Sequence, residues 1–396
     1  MEAWPSFALL DALVAKTHGD AVSIPGELPM DVFAKARAPV DSARVAPAPV
    51  PRGDLCLHLL FRLAAGAALL AALMSLTACG GGGAAPAPPP PPAPPPAPVP
   101  APTAPIAAQL SVLTPVGYDA DRLAAFNRLN ELRLSAGLGM LAQSTAMDQA
   151  AQAHAEWMIA NDSFTHEEIA GTPGFTGLNW PRRDETFGYV PVEGIEVMAG
   201  PAHGTQGVDT LINMAYHRAG MLAFEPVDIG VGWTNGLATN VGMPLVMDIT
   251  RPGTDTTRGL GQDAQARIHG VEIWPVDGAQ DVPLRLGSEL PNPVPTQDVL
   301  SLGTPASITV AETKTISATS FVMTNSSTGA VVLVRILTNT NDPNLLVPES
   351  FIAAIPLAVL APDTTYAVAF SGSAVERVSG LTEAINRTWS FTTASQ

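Results

Sequence analysis

Among the side chains that could bind a metal, activate water or form a covalent intermediate, histidine and cysteine are scarce, seven and two in 396 residues. Both cysteines, Cys56 and Cys79, lie near the N-terminus. No thiol remains further along, and a disulfide framework for the folded part is excluded. There is no Gly-x-Ser-x-Gly elbow, no glycine-rich phosphate loop and no zinc-finger spacing. His217 draws the eye first. It sits in Gly207–Trp233, where Val208, Leu211, Ile212 and Ala215 recur at helical spacing. The helix is expected to end near His217-Arg218, with Gly220 as its cap and Pro226 beyond it. Ile229-Gly-Val-Gly-Trp233 then alternates apolar residues with glycine, as a strand does under a closely packed neighbour. His217 is thus placed between two rigid elements, a good position for a functional side chain. His154 falls on an apolar helical face and reads as structural, His203 in a glycine-rich loop as solvated, and His269 in an interdomain stretch without a role.

The elements that must position these residues are legible from periodicity. Asp119 or Asp121 caps a helix with Leu123, Phe126, Leu129 and Leu132 on one face, closed by Gly137 and Gly139. A second helix starts at Ser144-Thr145. It carries Met147, Ala150, Ala151, His154, Ala155 and Met158 on one face and ends at Asn161-Asp162. A strand is expected over Pro244–Ile249. Helices interleaved with short strands argue for a layered domain of mixed helix and sheet. From Val271 onward the pattern is short β-branched runs separated by turn signals, which argues for an all-β sandwich.

Ahead of these domains the chain reads as an export and tethering device. Arg52 and Arg62 precede an apolar run over 63–75 that is shorter than the roughly 20 residues of a membrane span. It ends in Leu76-Thr-Ala-Cys79 and four glycines, which resembles a bacterial lipobox. That resemblance implies acylation of Cys79, removal of residues 1–78 as leader and signal peptide, and attachment to the membrane through lipid. Glycine after the cysteine implies passage to the outer membrane of a Gram-negative cell. The length of the leader suggests initiation nearer Val50. Residues 79–105, almost wholly Gly, Ala and Pro, form a stalk-like linker. The net charge of −16 speaks against nucleic acid as a partner.

The motifs of the first folded domain fall in an order that resembles the CAP superfamily (cysteine-rich secretory, antigen 5 and pathogenesis-related proteins). They are Asn130-Glu-Leu-Arg133 with Gly137-Leu-Gly-Met-Leu141, Ala151-Gln-Ala-His-Ala155, Phe164-Thr-His166, Glu196-Val-Met-Ala-Gly200, and Tyr216-His217-Arg218 through Val227–Gly232. The resemblance covers about residues 118–252 and implies an α-β-α sandwich with a central cavity holding two histidines and two acids. Carried over, it assigns His166, Glu196 and His217 to the cavity, with Glu193 competing for the place of Glu196. It also makes His166 and His217 the ligands of a divalent metal, zinc by chemistry. The helix position of the family's second glutamate falls within Leu211–Met214, where no acid stands.

The end of the chain, Leu360-Ala-Pro-Asp-Thr-Thr-Tyr366 and Trp389-Ser-Phe-Thr-Thr393, resembles bacterial Ig-like domains, over 267–396. The expected class is therefore α+β, a CAP-like sandwich followed by an Ig-like one. The expected function is binding of a small or lipid-like ligand, or of another envelope component, by an exported lipid-anchored protein. Catalysis is less favoured. A metal-assisted hydrolase and a structural adhesin are the alternatives.

Overall fold

The computed structural model describes residues 108–252 and 270–395. The lipobox at Cys79, the leader, the stalk and His269 lie outside the described residues.

The first domain opens with α1 (Ala120–Ser135), whose first turn is capped by Asp119 accepting from the Arg122 N–H. After the short β1 (Ala142–Gln143) comes α2 (Thr145–Asn161), capped by Ser144 and closed by Asp162 in the left-handed conformation. Then follow α3 (Trp180–Thr186), β2 (Pro191–Ala199), α4 (Gly204–Ile212), α5 (Ala215–Met221), β3 (Asp228–Trp233) and β4 (Leu245–Pro252). The four strands form one sheet in the order β1-β3-β4-β2, antiparallel except for β1 beside β3. Strand alternation gives the sheet two apolar faces. Val197, Val231, Met247 and Ile249 pack with Phe126, Leu129 and Leu211 of α1 and α4. Met198 and Val246 pack with Ala151, Trp157 and Met158 of α2. The result is helix, sheet, helix.

The two glycines of β3 are explained by α2. A Cβ at Gly230 would lie 2.3 Å from the Met147 carbonyl carbon, and one at Gly232 would lie 2.2 Å from that of Ala151. Only a bare backbone lets the helix come so close.

One expected helix is in fact two. The periodic run from Gly207 breaks after Ile212, and α5 starts afresh at Ala215, so His217 lies inside a helix and not at its end. Gly220 is also within α5. Its bare face rests against Ile195, whose side chain lies 2.5 Å from where a Cβ would be. The restart depends on a cap supplied from 72 residues downstream, described below, which local periodicity does not register.

The rest of the described chain is all-β. One sheet is β10-β11-β7-β5 (Val334–Leu337, Phe351–Pro356, Ala306–Val310, Val271–Trp274). The other is β6-β13-β12-β8-β9 (Ala279–Val282, Thr382–Thr393, Thr365–Glu376, Lys314–Asn325, Val331–Val332). Ile308 and Ile352 of the first meet Phe321, Phe370 and Trp389 of the second in a common core. The Tyr366 hydroxyl accepts from the Ala361 N–H, a local brace at the start of its strand. The outer face of the first sheet is not solvated. Phe351, Ala353 and Ile355 pack with Ala215, Tyr216 and Ala219 of α5. The helix that carries His217 is therefore shared between the two domains. No helix among the described residues is long and apolar enough to cross a membrane.

Candidate functional site

His166 follows α2 in a loop that is tied down from beneath. His154 is fully buried, stacks on Trp157, and places Nε2 2.9 Å from the Thr165 carbonyl and Nδ1 3.0 Å from Glu168. That loop brings His166 Nδ1 to 2.8 Å from Glu196 Oε1. The other oxygen of Glu196 accepts from the guanidinium of Arg183, which also donates to the His166 carbonyl at 3.1 Å. Burial pushes the Glu196 carboxyl up, but the His166 hydrogen bond and the Arg183 charge outweigh it and hold the group below the usual carboxylate range. Glu196 is thus an acceptor, which places the His166 proton on Nδ1 and its lone pair on Nε2.

Next to this pair lies an acidic cluster that is not among the expected site residues apart from Glu196. Glu196 and Asp248 are paired across β2 and β4, and Asp184 joins them from α3. Asp184 and Asp248 are fully buried, and their oxygens have no N–H or hydroxyl donor among the described residues. Burial first, and then the charge of Glu196, lifts Asp184 to about 7 and Asp248 well above the ordinary carboxylate value. Carboxyls raised in this way hold protons at neutral pH and can share them with one another.

His217 reaches the site from α5. Its Nδ1 is 3.2 Å from Glu289 Oε1. Glu289 stands in the connection between β6 and β7 of the second domain, and it is fully buried. Its oxygens accept from the backbone N–H groups of Ala215 at 2.8 Å and Tyr216 at 2.6 Å, capping the N-terminus of α5.

The structure places His166 and His217 on one cavity of about 610 Å³. Its walls are largely apolar, with Phe164, Met198, Ala199, Pro201 and Met214 from the first domain and Leu290 and Pro291 from the second. Each histidine has a carboxylate at Nδ1, and neither Nε2 makes a hydrogen bond among the described residues. Glu193, the expected competitor of Glu196, is not brought here. It lies three positions away on β2, so alternation sends it to the opposite face, where it pairs with Arg251 at 2.7 Å and lines a separate cavity of about 190 Å³ beside Glu312. His203 is exposed beside Asp121, at 3.3 Å.

The fit to a metal ion is partial. Two imidazoles backed by carboxylates are a recurring arrangement for a first-row cation. A third protein ligand is missing: no group of three or more His, Cys, Asp or Glu side chains able to hold a metal occurs among the described residues. Water or a bound molecule would have to complete the coordination.

Comparison with known proteins identifies the domain that carries the site. Residues 126–241 match the family model of CAP, the cysteine-rich secretory protein family, and the chain thus carries a CAP domain. Among solved structures, an outer surface protein from Borrelia burgdorferi is 18% identical, with 32% of this chain and 89% of that chain covered and a TM-score of 0.27. An extracellular protein with an SCP domain from Bacillus anthracis is 20% identical, with 33% and 40% covered and a TM-score of 0.26. No curated protein matches the chain.

Proposed function

We propose that the protein is an exported, lipid-anchored binding protein whose CAP cavity takes a small, partly apolar ligand held by two imidazole nitrogens. The observation that carries this is the pairing of each cavity histidine with a carboxylate at Nδ1. A ring held in that tautomer offers a lone pair at Nε2, so the cavity is built to receive a hydrogen-bond donor or a cation. The apolar lining, in which Phe164 and Leu290 are exposed, suits a hydrophobic remainder, and about 610 Å³ is the size of a small-molecule site. A divalent cation such as zinc would be held by His166 and His217 and would supply a Lewis-acidic centre there. The hydroxyls that line the cavity belong to Thr165, Thr210 and Ser288, and none of them is hydrogen-bonded to His166 or His217 among the described residues, so binding is favoured over covalent catalysis. Export and anchoring rest on the signal-like segment that ends at Cys79.

The test is recovery of a ligand. The full chain and its His166→Ala/His217→Ala variant are incubated with a bacterial envelope lipid extract, repurified, and analysed by native mass spectrometry. A species enriched on the wild type and lost from the variant supports the reading. Recovery no greater than on an unrelated acidic protein contradicts it.

A further inference from the structure

Among the described residues, the first domain provides one carboxylate to its two cavity histidines. The other comes from residue 289, and the geometry of that residue says more than that it caps a helix. Glu289 Oε1 accepts from the Tyr216 N–H at 2.6 Å and lies 3.4 Å from the His217 N–H and 3.2 Å from His217 Nδ1. Its Oε2 accepts from Ala215 at 2.8 Å. A carboxylate already engaged by backbone donors on both oxygens acts as an acceptor toward the ring as well. Nδ1 of His217 therefore carries the proton, and Nε2 is left as the basic nitrogen of a side chain that lines the cavity. No other side chain among the described residues bonds to this ring. The residues on either side of Glu289 point to the same role, because Ser288, Leu290 and Pro291 line the same cavity as His166 and His217.

We propose that Glu289 is a positioning residue of the site. It fixes the tautomer and orientation of His217, and through it the second domain forms one wall of the binding cavity. The second domain is then part of the site and not a spacer. The inference rests on the cavity being the binding site, but it makes a claim about His217 that holds with or without a ligand.

The test reads the ring directly. The full chain, labelled with ¹⁵N-histidine and free of metal, is examined by long-range ¹H–¹⁵N correlation at pH 8. His217→Gln assigns the signal, Glu289→Ala removes the acceptor, and Glu289→Gln removes the charge while keeping an amide oxygen that can accept. The expected result is an Nδ1–H tautomer for His217 in the wild type and a shift toward Nε2–H in Glu289→Ala, with His166 unchanged. An Nε2–H tautomer in the wild type overturns the proposal. So does a tautomer that is the same in Glu289→Ala as in the wild type. If Glu289→Ala does not fold, the wild-type tautomer decides the matter. Zinc titration of the same samples gives a second readout, with affinity expected to fall about tenfold or more in Glu289→Ala. A wild type that shows the Nδ1–H tautomer but binds neither zinc nor lipid would remove the binding reading and leave the role of Glu289 intact.

Discussion

Asp184→Asn is expected to alter how stability depends on pH. In the folded protein, burial and the nearby charge of Glu196 raise Asp184 from 3.8 to about 7, and the facing Asp248 is raised as well. In the unfolded chain both return to the ordinary value of about 3.9. The folded state therefore keeps protons that the unfolded state has released. That contribution is fully present below about pH 4 and is lost as pH rises to about 7. One pKa unit corresponds to about 1.4 kcal/mol, so the displacement to about 7 sets a ceiling of about 4 kcal/mol for Asp184. The proton is shared with Asp248, and the change on removing one partner is smaller, on the order of 1–3 kcal/mol between pH 5 and pH 8. Asparagine has the shape of the neutral acid and cannot ionise. Urea unfolding followed by circular dichroism at both pH values is the assay. The wild type is expected to lose stability between pH 5 and pH 8, and the variant to lose less by that margin. Equal losses in the two proteins would refute the reasoning and mean that the cluster has donors or water that neutralise it.

Other expectations follow from the same packing. Gly232→Ala puts a Cβ 2.2 Å from the Ala151 carbonyl carbon and forces α2 off the sheet, at a cost of about 2–3 kcal/mol. An unchanged thermal midpoint would contradict the close approach. Arg183→Met leaves the buried Glu196 without its cationic partner and is expected to cost about 3–5 kcal/mol at neutral pH, measured by chemical denaturation. Tyr216→Phe removes the hydroxyl that joins α5 to Asp342 at 2.5 Å, and about 1–2 kcal/mol of stability is expected to go with it. An equally stable phenylalanine variant would mean that this bond does not help hold the two domains together.

Much of the architecture was legible because it is written in local pattern. Helix caps at Asp119 and Ser144 and the glycine alternation of β3 each follow from residues within one element. Several family-like motifs turn out to be braces. Asn130 clamps Leu141 through both its side-chain atoms, and Arg133 donates to the carbonyls of Gly139, Met221 and Ala223. Arg218, beside His217, donates to Ile212 and across to Pro305 of the second domain. What stayed hidden was long-range. The break before α5 could not be read from Val208, Leu211 and Ile212, because the acceptor that restarts the helix is Glu289. Nothing in Ser288-Glu-Leu-Pro291 marks that glutamate as a cavity residue. Asp248 did carry a signal, a lone acid within the apolar strand Leu245–Ile249. Its meaning depends on Glu196 across the sheet and Asp184 from α3. The choice between Glu193 and Glu196 was likewise a matter of strand register, which the bulge between Pro191 and Gly194 obscures in the sequence.

The central claim is that His166 and His217 offer their Nε2 atoms to one cavity. Zinc titration of the full chain by calorimetry, beside the His166→Ala/His217→Ala variant, tests it most directly. Stoichiometric binding, weaker than in three-ligand sites and lost in the variant, is the predicted result. No binding by the wild type, or equal binding by both proteins, would mean that the two rings do not act on a common ligand.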